Sequence, residues 1–228
     1  LIMRYNHIAL IGLGLISSSI ALSIRRNDKS TKITGTSRSA ETRKKAAELG
    51  ICEVRENTVE AVKGADLIIL CVPVGAMATV VREFASTLEP GATVTDVGSV
   101  KVAVIANIAP LLPHDVDFIP GHPIAGTENS GPESGFATLF DNRWCILTPQ
   151  KSCSSTSINR LRIFWEALGA RVDQMDAEHH DLVLAVTSHV PHLIAYTMVG
   201  VADDLASITK SEVINYSAAG FRDFTRIA

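Results

Sequence analysis

The chain has 228 residues, 46 % hydrophobic and 20 % charged, with a formal net charge of -3, the usage of a globular enzyme with a substantial core. That charge provides no basic surface for nucleic acid, and no signal peptide or unbroken run of about eighteen apolar residues points to export or membrane insertion, so a cytoplasmic protein is expected. Cys52, Cys71, Cys145 and Cys153 stand at irregular spacings, which suits reduced thiols rather than a disulfide or zinc framework.

From the N-terminus to about residue 174, short apolar runs alternate with amphipathic stretches, predicting a parallel sheet with crossover helices. The first strand, His7 to Ile11, runs into Gly12-Leu13-Gly14-Leu15-Ile16-Ser17 and a helix over Ile16 to Arg26. In a dinucleotide-binding unit the first glycine permits the tight turn, the second lets backbone approach a pyrophosphate, and the helix start aims amide donors at the anion. Gly12, Gly14, Leu15 and Ile16 are therefore the expected contacts. Ser17 replaces the usual third glycine and is expected to pack less closely. The second strand, Lys32 to Thr36, ends at Ser37-Arg38-Ser39, where an acid for the adenosine ribose is usual. Arg38 instead suits a 2'-phosphate, with Ser37 and Ser39 as hydroxyl donors, which favours NADP without excluding NAD.

Helices over Ala40 to Leu49 and Thr58 to Val62 precede a strand from Leu67 to Val72, whose end at Val72-Pro73 borders the expected cofactor crevice. A helix over Gly75 to Thr87 and a strand over Thr93 to Asp96 follow, then Val97-Gly98-Ser99-Val100-Lys101 and a helix from Val100 to Ile108. Ligands in such sheets bind beyond the carboxyl ends of strands, so Ser99 is placed at the nicotinamide and can also cap the helix. Lys101 reads as a solvated first-turn lysine. Strands over Asp117 to Pro120 and Arg143 to Thr148 and a helix over Ser155 to Leu168 complete the alternation. Between those strands, Gly121-His122-Pro123-Ile124-Ala125-Gly126-Thr127-Glu128 sets an imidazole and a carboxylate among turn-forming residues. An imidazole titrates near neutrality, which makes His122 the candidate acid-base group. Thr127 and Glu128 border the expected pocket, where the carboxylate would repel an anionic ligand group or attract a cationic one, or simply face water.

From about Ala177 the pattern is continuously helical to roughly Ile208, with a kink expected at Pro191. The boundary is set here: a dinucleotide-binding domain over 1–174 and the start of a helical domain over 175–228. His179 and His180 read as solvated polar residues. His189 and His192 are three apart, but no third ligand follows, so no metal is expected. The apolar stretch Leu182 to Leu205 cannot hide all its faces within this chain, so a second copy or further chain is expected to cover it.

Five segments together, Gly12 to Ile16, Asp96 to Lys101, Gly121 to Gly126, Ser188 to His192 and Gly220 to Arg226, resemble the prephenate/arogenate (cyclohexadienyl) dehydrogenases of tyrosine biosynthesis. The resemblance implies an α/β, Rossmann-type domain followed by an all-helical dimerisation domain, a homodimer, and further helices beyond Ala228. It also implies oxidative decarboxylation of prephenate or arogenate to 4-hydroxyphenylpyruvate or tyrosine, with hydride passing to NAD(P). His122 would then be catalytic with Ser99 beside it, Arg226 would grip a substrate carboxylate, and His192, with His189 as a helper, would line the substrate pocket. Two other readings stay open: another two-domain NAD(P)-dependent dehydrogenase or imine reductase, which would carry a catalytic lysine or a different helix motif, and a non-enzymatic NADP(H)-sensing module, which needs neither His122 nor Arg226.

Overall fold

The computed structural model describes residues 5–204 and 210–226, which divide into two compact units, 1–180 and 181–228. The first unit is built on a six-stranded, all-parallel sheet of β1 (His7–Ile11), β2 (Lys32–Thr36), β3 (Glu53–Val54), β4 (Leu67–Leu70), β5 (Thr93–Asp96) and β6 (Asp117–Phe118). Its order is β3-β2-β1-β4-β5-β6, the doubly wound arrangement in which strand order reverses between β1 and β4 and ligands bind outside the carboxyl ends there. β1 and β4 are buried at every position, as continuous apolar strands covered on both faces require. The crossovers are α1 (Leu15–Asn27), α2 (Ala40–Glu48), α3 (Thr58–Val62), α4 (Val74–Phe84) and α5 (Val102–Ile108).

The two faces form separate cores. One packs Ile20 and Ile24 of α1 with Leu10, Leu67, Phe140, Leu161 and Trp165; the other packs Met77, Val81 and Phe84 of α4 with Ile11, Ile68, Val94 and Ile108. A second sheet carries the candidate catalytic segment. β7 (Gly121–Pro123) pairs antiparallel with β8 (Trp144–Leu147), placing His122 opposite Ile146, and β8 pairs parallel with β9 (Arg171–Gln174). α6 (Ser155–Ala167) precedes β9, and α7 (Ala177–Leu184) follows it.

In the second unit a π-helical turn, Ala185–His189, joins α8 (Val190–Asp204), followed by α9 (Lys210–Tyr216) and α10 (Ala219–Thr225). The irregularity falls one turn before Pro191 because proline has no N–H for the preceding turn and its ring crowds that carbonyl. The kink expected at Pro191 thus takes the form of a π turn. Residues 205–209, which include the end of the expected long helix at Leu205 and Ile208, lie outside the described residues. The run Ala177–Asp204 contains an eighteen-residue window of mean hydropathy 1.5 and would cross a membrane by length and composition. The expectation of no eighteen consecutive apolar residues still holds there, since Thr187, Ser188, His189 and His192 interrupt the stretch without lowering its average below that level. Only 11 % of that window is buried, and Leu182, Val186, Leu193 and Tyr196 are all at least 60 % exposed.

Candidate active site

The crevice at the reversal point is shaped by Gly12. It has φ +102°, and a Cβ there would lie 2.7 Å from the Cys71 carbonyl oxygen, so only glycine fits where β1 and β4 end side by side. Gly14 is the N-cap of α1, and a Cβ there would meet nothing within 4 Å. The first turn of α1 carries no acid and the last turn carries Arg25 and Arg26. That polarity favours an anion at the N-terminus. The turn at Gly12 and Gly14 and the start of α1 therefore fit the pyrophosphate of a dinucleotide.

Ser17, in the place of the usual third glycine, is fully buried. Its hydroxyl accepts from the Gly14 amide at 2.8 Å and donates to the Gly14 carbonyl at 3.1 Å, so it braces the turn. Gly135 packs closely on α1, where a Cβ would lie 2.5 Å from Ser18 Cβ. At the end of β2, Arg38 is exposed and Ser37 half-buried. Ser39 caps α2 by accepting from the Thr42 amide. Arg43 holds the loop by donating to the carbonyls of Ser37 at 2.7 Å and Arg38 at 3.2 Å, while pairing with Glu56. That loop anchor was invisible in the sequence, where Arg43 is one helix cation among several.

Beyond β5 the structure overturns two expectations. α5 starts at Val102, so Ser99 does not cap it; Ser99 lies exposed in the loop. Lys101 is not solvated but fully buried, its Nζ donating to Asp96 Oδ2 at 2.5 Å and to the Gly121 carbonyl at 2.7 Å. Asp96 also accepts from the amides of Gly98 at 2.7 Å and Gly121 at 3.3 Å. A buried carboxylate this close to the loop requires a cation, and Lys101 supplies it at the cost of two more residues outside the helix. Burial pushes the Asp96 carboxyl above its ordinary value, against the opposing pull of Lys101 and the two amides. The pair grips both the N–H and C=O of Gly121, the residue before His122.

The half-buried His122 ring is held from its other side. Its Nδ1 lies 2.9 Å from Nε2 of His180, with the rings edge to face. His180, expected to be solvated, is fully buried because α7 turns inward after β9. Its partner is 58 residues away, beyond the reach of any local pattern. Thr127 and Glu128 follow β7 and are exposed. In the second unit, His189 is half-buried at the end of the π turn, His192 is exposed with its Nδ1 2.8 Å from the Ser188 carbonyl, and Arg226 is exposed just after α10.

The prephenate dehydrogenase nucleotide-binding domain matches residues 20–174, and the prephenate dehydrogenase dimerization domain matches 176–228. This chain belongs to the prephenate dehydrogenase family. Cyclohexadienyl dehydrogenase of Zymomonas mobilis is 41 % identical over 98 % of this chain and 76 % of its own length. Prephenate dehydrogenase of Bacillus subtilis is 35 % identical over 97 % of this chain, which spans 60 % of that protein. Among solved structures, prephenate dehydrogenase of Aquifex aeolicus, crystallised with hydroxyphenyl propionate and NAD+, is 33 % identical with a TM-score of 0.88, over 98 % of this chain and 78 % of that one. The family fixes the fold, a dinucleotide-binding domain followed by a helical dimerisation domain, and makes the chain an NAD(P)-dependent oxidoreductase.

Proposed function

We propose that this prephenate dehydrogenase family member oxidatively decarboxylates prephenate, arogenate or both, with His122 as the general base. The observation that carries the reading is the immobilisation of His122: its backbone is gripped by the buried Asp96–Lys101 pair through Gly121, and its ring by His180. The substrate ring carries a 4-hydroxyl and a carboxylate at C1. As hydride leaves C4 the 4-hydroxyl becomes a carbonyl and a base takes up its proton; as the C1–carboxylate bond releases carbon dioxide, its electron pair aromatises the ring to a phenolate, to which the same group returns the proton. With Nδ1 occupied by His180, Nε2 of His122 is the nitrogen assigned to that hydroxyl. When bound, the nicotinamide supplies the hydride acceptor.

Ser99, at the carboxyl end of β5, is assigned to cofactor and substrate, and Arg226, on the second unit, to a substrate carboxylate through its planar fork. His192, with His189 helping, completes substrate recognition in the second unit, and Thr127 and Glu128 border the reacting ring. Arg38 and Ser37 at the end of β2, where no acid stands, favour NADP over NAD. The exposed apolar residues Leu182, Val186, Leu193 and Tyr196, in the segment matched by the dimerisation domain, are the contact surface of a homodimer. Four free thiols suit a cytoplasmic enzyme.

The deciding test is His122→Asn, assayed by reduced-cofactor absorbance with prephenate and arogenate, each with NAD and NADP. The variant should lose roughly 10²- to 10⁴-fold in kcat with little change in substrate KM. Undiminished kcat would remove His122 from the mechanism.

A further inference from the structure

We propose that His180 is a positioning residue that sets the tautomer and orientation of His122, keeping the proton of the resting ring on Nδ1 and the lone pair on Nε2. The proposal rests on His122 being the base.

The geometry requires one proton between the facing nitrogens. At 2.9 Å, His122 Nδ1 and His180 Nε2 are in hydrogen-bond contact, so one is a donor and the other an acceptor. If His122 is to receive the substrate proton at Nε2, its own ring proton must reside on Nδ1. His180 must then accept at Nε2 and carry its own proton on Nδ1. The opposite assignment would place the His122 proton on Nε2 and leave it unable to act as a base. Once His122 has taken the proton, the same Nδ1–H bond originates from an imidazolium and becomes charge-assisted, stronger than the neutral bond of the resting state. A contact that strengthens as the reaction proceeds raises kcat more than it alters substrate binding.

The frame is suited to this task. His122 is paired through β7 to Ile146 on β8, β8 is paired along Trp144–Leu147 to β9, and β9 leads into α7. His180 is locked into the first turn of α7 by its amide, which donates to the Asp176 carbonyl at 2.9 Å, and Ala177 beside it is buried. The small sheet thus connects both imidazoles within one unit, and its geometry fixes their separation.

The test compares His180→Leu, His180→Asn and His180→Gln with wild type under saturating substrate and cofactor. Leucine removes the acceptor, asparagine withdraws it by one methylene, and glutamine restores an amide oxygen near the former Nε2. The leucine and asparagine variants should lose about 10- to 100-fold in kcat with KM within about threefold, while glutamine recovers to within about fivefold of wild type. In the His122→Asn background, His180→Leu should cause no further loss, since the two act as a unit. Should the leucine variant not fold, asparagine against glutamine decides, with each melting near wild type. Equal kcat for asparagine and glutamine, a loss confined to KM, or an additive double variant would overturn the role of His180. Full kcat in His122→Asn would instead overturn the underlying base assignment, so the two failures are distinguishable.

Discussion

Replacing Lys101 by methionine should be among the most damaging single changes outside the apolar cores. The side chain is fully buried, and its Nζ bonds Asp96 Oδ2 at 2.5 Å and the Gly121 carbonyl at 2.7 Å. Methionine fills similar space but leaves the Asp96 carboxylate buried with only the amides of Gly98 and Gly121. Breaking a buried ion pair from one side costs about 3–5 kcal/mol. For a chain of this size each kcal/mol lowers Tm by roughly 2–4 °C, so the melting temperature should fall by roughly 6–20 °C. Burial raises the Asp96 carboxyl even with Lys101 present, and without Lys101 it rises further. A raised acid holds its proton more tightly folded than unfolded, so its contribution to stability is greatest at low pH and is lost as pH climbs through the folded value. The deficit of Lys101→Met against wild type should therefore be larger at pH 8 than at pH 5. Adding Asp96→Asn should return part of the loss at pH 8, because the unpaired charge is gone. Calorimetry across pH checks all three. A Tm within about 2 °C of wild type, or a deficit that grows toward acid, would refute the argument.

Gly12→Ala forces a side chain onto a +102° φ and within 2.7 Å of the Cys71 carbonyl oxygen; it should lower stability by about 1–3 kcal/mol and raise the cofactor KM well above any rise in substrate KM. Normal cofactor affinity would mean that the crevice is not the cofactor site. Arg38→Ala should lower the ratio of kcat/KM for NADP to that for NAD by about tenfold, and an unchanged ratio would take Arg38 out of cofactor choice. Glu128→Gln should shift the ratio of prephenate to arogenate turnover, since the two substrates differ in charge on the side chain a nearby carboxylate would meet; if both rates move together, Glu128 only faces water.

Much of the first unit was legible because its signals are local. β1, β2 and β5 occupy the residues their apolar runs marked, and α3 has the limits expected of it. The elements that escaped have no such signal. β3 is two residues long, β9 is mostly exposed and lacks an apolar face, and β7 is Gly-His-Pro, which has no alternation to read. The polar residues of the site escaped for a different reason. Lys101 and His180 look like surface residues until their partners are known: the Gly121 carbonyl is 20 residues from Lys101, and His122 is 58 from His180. Asp96 held the one usable clue: an acid closing a buried strand needs a cation, and Lys101 is five residues on.

The choice of polar anchors around His122 follows from what β7 is made of. Gly121 has no side chain and Pro123 no N–H, so neither apolar burial nor a full ladder of hydrogen bonds can fix the imidazole between them. The backbone of Gly121 is the remaining handle, and only a buried donor and acceptor together can hold both its carbonyl and its amide. The Asp96–Lys101 pair does so at both atoms, accepting the desolvation cost of two charges for a fixed position. An apolar replacement of the whole pair could match or exceed the native stability, yet it would release Gly121. Selection for stability alone would therefore move away from this arrangement.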